Sequence, residues 1–87
     1  MRGNRATEEK ITVDAYSGYR GQEIPRRFNL HGSKVEVVEV LSGWIEGGSE
    51  YKSLKRFFKV KGSDGSIHKI HYDEDKEEWF YEVEPRR

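Results

Sequence analysis

Arg56-Phe57-Phe58-Lys59-Val60-Lys61-Gly62-Ser63-Asp64-Gly65-Ser66-Ile67-His68-Lys69-Ile70-His71-Tyr72 is the stretch from which the fold can be worked out. Successive side chains of a strand point to opposite faces. A two-residue Asp64-Gly65 loop would pair Val60 with Lys69 and Phe58 with His71, mixing apolar and charged faces. A three-residue Ser63-Asp64-Gly65 loop pairs Val60 with His68, Phe58 with Ile70 and Arg56 with Tyr72. That register gathers Phe58, Val60, Ile70 and Tyr72 on one face. It leaves Phe57, Lys59, Lys61, Ile67, Lys69 and His71 on the other. The last loop position needs a positive φ, which Gly65 adopts without steric cost.

The flanking segments extend the pattern. Residues 1–10 are polar and aperiodic and read as a disordered tail. Ile11–Tyr16 alternates and predicts a first strand. Ser17–Pro25 carries two glycines and a proline and reads as a loop. Arg26–His31 predicts a strand that turns at Gly32-Ser33 and returns from Lys34. This pairs Leu30 with Val35 and Phe28 with Val37. Val37-Val38 breaks the alternation, which points either to a β-bulge that keeps both valine pairs inward and bends the strand or to a stretch buried on both faces. The strand ends with Leu41–Glu46, and Gly47–Glu50 is a flexible connection. Asp73–Glu78 is an acidic turn of four or six residues. It leads to a last strand in which Trp79, Tyr81 and Val83 share the face of Ile70 and Tyr72.

The expectation is a single all-β domain over residues 11–84, with tails at 1–10 and 85–87. Five to six short antiparallel strands form a meander that curls into a barrel-like (SH3-like) sheet, since a flat sheet this small exposes edges and buries little.

The 87 residues suffice for one modest core, of which eleven aromatics supply much. With no cysteine, neither a disulfide framework nor a zinc-thiolate site is available. No apolar run resembles a signal segment or a membrane span. The chain reads as soluble and cytoplasmic; the sequence does not fix the oligomeric state, with a monomer favoured. Its 16 basic and 16 acidic groups cancel, which argues against a protein that simply coats nucleic acid. Residues 51–71 nevertheless carry six basic groups and one acidic, and residues 72–87 three basic and seven acidic. Neighbouring strands of opposite sign would offset each other across the sheet.

Catalytic and metal signatures do not survive inspection. His68 and His71 point to opposite faces of one strand and cannot chelate together. Together with His31 they read as ordinary surface or rim histidines, and no metal site is expected. The acidic run from Asp73 lacks the glycine an EF-hand needs at its sixth position, where Glu78 stands. The serines sit in turns, and none lies in the strand–elbow–helix context of a nucleophilic serine. Gly18-Tyr19-Arg20-Gly21 has the spacing of a phosphate-clamping GxxG loop without the helices that flank one. No enzyme and no cofactor is expected.

The surface that stands out is basic and aromatic. Lys59, Lys61 and Lys69 share the outer hairpin face with Phe57 and His71. Arg20, Arg26, Arg27, Lys55 and Arg56 are candidates to lie nearby. Small β-barrels bind single strands by stacking bases on aromatics and tracking phosphates with Lys and Arg; the competing reading makes Phe57 a second-layer core residue and the lysines a solvated face. Nucleic acid is therefore the leading candidate partner. The alternative is a protein-interaction adaptor that uses an aromatic rim and the 47–54 loop; Trp44 and Trp79 read first as core or rim anchors and second as walls of a peptide groove.

Pro25-Arg26-Arg27-Phe28, Val35 through Val40 leading to Trp44, Arg56–Val60, Asp64-Gly65, and Asp73 followed by Trp79 carry a further likeness. Over about residues 12–83 the chain resembles a family of short, uncharacterised bacterial cytoplasmic proteins. A similar small domain is associated with some Y-family DNA polymerases. The resemblance implies a compact β fold and, by analogy, a DNA-related role or a DNA-associated protein partner. It implies no catalytic residue.

Overall fold

The computed structural model describes residues 8–17 and 23–83. Six strands follow one another along the chain: β1 (Glu8–Ser17), β2 (Glu23–Leu30), β3 (Ser33–Glu46), β4 (Lys55–Gly62), β5 (Ile67–Asp73) and β6 (Glu78–Glu82). Each pairs antiparallel with the next, and β6 pairs back to β1, closing a barrel. No helix is present among the described residues, and hence none long and apolar enough to cross a membrane.

The β4–β5 hairpin has the expected register. Phe58 faces Ile70, Val60 faces His68 and Arg56 faces Tyr72. The loop is closed by Gly65 N–H donating to the Gly62 carbonyl (3.0 Å) and Gly62 N–H donating to the Ser66 carbonyl (2.9 Å). Gly65 has φ 85°, the left-handed conformation the loop required of it. Phe28, Val35, Val60, Ile70 and Trp79 form the core, with Ile11, Val13, Leu30, Phe58, Tyr72 and Tyr81 packed against it. Val60 and Ile70 are completely buried, each contributing about 1.5–3 kcal/mol relative to exposure. Trp79 and Tyr81 share this inner face, while Val83 lies beyond the end of β6 and is exposed.

Two boundaries and one register differ from expectation. β1 already begins at Glu8, because Glu8, Glu9 and Lys10 pair with β6. Those polar residues are held as strand by the ladder that closes the barrel, which local composition does not report. Residues 1–7 and 85–87 of the expected tails, with residue 84 at the end of the expected domain, lie outside the described residues. β2 begins at Glu23 rather than Arg26, and Pro25 is buried opposite Ala15, where the β1–β2 register shifts past Arg26.

The β2–β3 turn is built on His31-Gly32, not Gly32-Ser33. Both residues have positive φ, 51° and 83°, so Leu30 pairs with Ser33 and Phe28 with Val35. Two residues of positive φ match the right-handed twist of a hairpin, and histidine tolerates this region better than most side chains. The slip is two residues, so the apolar residues keep their common face.

β3 is long because it serves two neighbours. Ser33–Glu36 pairs with β2 and Val37–Glu46 with β4. The register shifts between Val37 and Glu39 and again between Val40 and Ser42. The first is the expected bulge, but the extra residue, Val38, points to solvent and is exposed. The Gly47–Leu54 connection is a compact loop. Gly48 N–H donates to the carbonyls of Lys52 (3.1 Å) and Ser53 (3.3 Å), and Lys52 N–H to that of Ser49 (3.3 Å). Gly47 has φ 78°, and a Cβ there would stand 2.2 Å from the Ser53 carbonyl oxygen. The β5–β6 turn is the four-residue form, with Asp73 opposite Glu78.

Candidate functional site

Closing the sheet gives its outer face a second apolar layer. Trp44, Phe57, His71 and Phe80 stand directly opposite one another on β3, β4, β5 and β6. The Trp44 and Phe57 rings are stacked, 5.5 Å apart and 7° from parallel. Phe57 meets His71 at 4.7 Å, and His71 stacks on Phe80 at 5.2 Å and 19°. Phe57 is only 6% exposed and His71 only 1%. Trp44 is the half-exposed end of the row, its indole N–H donating to Glu46 at 2.9 Å. The indole, not the Phe57 ring, therefore offers an accessible stacking face. The sequence signal for this layer was aromatic residues at outward-facing positions among lysines.

The lysines sit above and beside that row. Lys69 Nζ lies 5.5 Å from the Trp44 ring centre and 5.7 Å from that of Phe57, within cation–π range. Lys59 faces Lys69 on β5 and Ser42 on β3. Lys61 faces Ile67 and Glu39, and Lys55 faces Asp73 and Glu46. Charge compensation between neighbouring strands thus holds for Lys55 and Lys61. At Lys59 the direct cross-strand neighbours are a serine and a second lysine.

The remaining candidates disperse. Arg27 on β2 donates to Asp14 (2.8 Å) and Glu36 (3.1 Å), and its bonds to Asp14 first and Glu36 second raise its pKa further. The Arg26 guanidinium lies 5.3 Å from the Tyr16 ring centre. Strand β3 separates both arginines from the hairpin. Arg56 shares the inner face of β4 and pairs with Glu74 at one end of the barrel. Arg20 lies outside the described residues. Of the candidates, Lys55, Phe57, Lys59, Lys61 and Lys69 share one face.

That barrel end is acidic. Burial raises the Tyr72 hydroxyl above its ordinary pKa, and the carboxylates of Glu77, Glu23, Glu74 and Asp73 push it the same way. Burial alone would also raise Asp73. The backbone N–H groups of Lys76 (3.1 Å) and Asp75 (3.0 Å), the Ser53 hydroxyl (3.3 Å) and the charge of Lys55 outweigh it and hold the carboxyl below its usual value.

His68 and His71 do point to opposite faces, but neither is a surface histidine: His68 is 5% exposed. The inward ring sits edge-on against Phe28 at 5.2 Å. The Tyr81 hydroxyl lies 2.8 Å from Nδ1, and both Asp64 oxygens lie 3.1 Å from Nε2. This Asp–His–hydroxyl chain has the order of a proton relay, yet its hydroxyl belongs to a tyrosine facing the packed interior. It serves to satisfy a buried polar group. His31 is exposed at its turn, 2.9 Å from Glu9.

The outer face of β3–β5 thus carries a row of stacked aromatics beside directly opposed lysines; no protein-family model, curated protein or solved structure matches the chain.

Proposed function

We propose that the protein is a non-catalytic binding module of the cytoplasm whose outer β3–β5 face takes single-stranded nucleic acid. The observation that carries this reading is the direct opposition of Lys59 and Lys69 beside the half-exposed Trp44 ring. Like charges directly opposite are destabilising on a sheet, and a phosphate between them would offset that repulsion. A base stacked on Trp44 would contribute about 1–3 kcal/mol without sequence preference. Lys61 extends the cationic track on the same face. The likeness to a domain associated with translesion polymerases supports a DNA-related role by analogy alone.

The test is an amide-shift titration with a short single-stranded DNA at low and moderate salt. Shifts should centre on Trp44 and residues 55–71 and weaken with salt, because phosphate contacts release counterions. Lys59→Glu with Lys61→Glu should abolish them. No shift at high micromolar DNA would sink the reading.

A protein partner is the second reading. Val38, Val40, Leu41 and Ile45 are exposed along β3, and Tyr51 is 90% exposed on the neighbouring loop. Binding that tolerates salt and is lost on Trp44→Ala, with the fold intact, would favour it.

A further inference from the structure

His71 is buried on the outer face of β5 with its ring between Phe57 and Phe80. Its Nδ1 lies 2.5 Å from Glu82 Oε2. An ionised carboxylate only accepts hydrogen bonds, so the Nδ1 side carries a proton. Nε2 is the atom left over. It is buried, has no hydrogen-bond partner, and faces Glu8 Oε1 across 3.6 Å. Glu8 and Glu82 are moreover direct cross-strand partners on β1 and β6, an arrangement that repels like charges.

The Glu8 carboxylate and the Nε2 lone pair face one gap, with the second carboxylate, Glu82, beside Glu8 on the neighbouring strand, a setting that calls for a cation. A proton on Nε2 would draw Glu8 to about 2.7–2.9 Å, the length of a charge-assisted bond. The observed separation exceeds any ordinary N–H···O contact. It does match two ligands on one ion. Donors each about 2.1 Å from zinc, at a tetrahedral angle, stand about 3.4 Å apart.

We propose that His71 Nε2 and Glu8 bind a divalent transition-metal ion, with Glu82 as the positioning residue that orients the imidazole through Nδ1. A carboxylate on the far ring nitrogen is the usual support of a metal-ligating histidine. Imidazole and carboxylate donors without a thiolate suit Zn²⁺, and water completes the shell. One ligand atom from each of the three residues lies within 4.8 Å of the others, so small side-chain rotations suffice. Glu8 belongs to β1, His71 to β5 and Glu82 to β6, so the ion ties the seam at which the barrel closes. The sequence reading assigned no metal because it weighed the histidines as a pair. This site takes one histidine and two carboxylates that meet only once β6 has paired with β1.

The test titrates the full chain with ZnCl₂ by calorimetry and by ¹⁵N spectra of the imidazoles. One equivalent should bind, with a selective shift of His71 Nε2 and a rise in melting temperature. Glu8 is half-exposed near the start of its strand, so Glu8→Gln keeps the fold; it should lower affinity at least tenfold and remove the thermal shift. Glu82→Gln should weaken binding and alter the His71 tautomer signature in metal-free protein, a change that lost packing alone would not produce. An unshifted His71 with both ring nitrogens protonated would show that a proton fills the gap and overturn the proposal. Equal affinity in Glu8→Gln, or shifts confined to His31, would do the same.

Discussion

His68 and His71 stand on one strand, both buried, on opposite faces of the same sheet. The inner one has polar partners for both ring nitrogens, Tyr81 and Asp64. The outer one has a hydrogen-bond partner for only one, Glu82. Burial is therefore a poor guide to role in a small barrel. The number of satisfied nitrogens separates a structural histidine from one that leaves chemistry to spare. The surroundings differ in the same way. The inner ring meets Phe28 within a core of apolar side chains, and the outer ring lies in an aromatic row capped by lysines and carboxylates.

That comparison treats the outer row as a second core, and it can be broken there. Phe57→Ala should cost about 3–5 kcal/mol in denaturant unfolding, as for a buried phenylalanine in any packed interior. A loss below about 1 kcal/mol would mean that the row is surface decoration and that His71 is not held in place by packing.

The inner histidine offers the next largest effect. Tyr81→Phe removes the hydroxyl beside His68 Nδ1 and should cost about 1–3 kcal/mol, the penalty for a buried group left unpaired. A neutral result would show that water reaches His68, and the contrast in satisfaction between the two rings would fade.

The smallest expected effect is on pH dependence. Asp64 is held below its ordinary pKa by the Ser66 N–H first and His68 second, and Asp73 is likewise lowered. A carboxyl lowered by folding contributes stability that is fully present above its unfolded pKa, about 3.9. That stability is lost as pH falls through the lower folded values. Unfolding midpoints should thus be insensitive to these two groups above about pH 5 and decline below about pH 4. Asp73→Asn should flatten the decline, and an unchanged acid limb would show that Asp73 does not contribute to it.

The hairpin over residues 56–72 was legible because face alternation and turn chemistry select the same register there. Its loop holds one glycine placed where a positive φ is required. The Gly32-Ser33 turn was misread because a slip of two residues leaves every side chain on its face. Only backbone conformation at His31 distinguishes the two hairpins. Burial of His71 and Phe80 was hidden for another reason, whereas Phe57 already read as a second-layer core residue. Alternation says which residues share a face, but not that the outward face will be covered. The coverage comes from cross-strand neighbours on β3 and β6, which are far from β5 in sequence or set by barrel closure. The same closure brings Glu8 to His71, and no local pattern announces it. The lysines were legible as a group because they lie on the hairpin itself, whereas Arg26, Arg27 and Arg56 were grouped with them by charge and are separated by strand order.

β3 changes partners at Glu36–Val37, and this has a consequence for how the protein meets other chains. From Val38 to Glu46 its side away from β4 faces no strand among the described residues. A row of free backbone N–H and C=O groups is a template onto which a foreign strand can add. The two irregularities, at Val38 and Leu41, fall within this segment and twist it out of the flat form that indiscriminate strand addition needs. A chain that docks there must follow the bend.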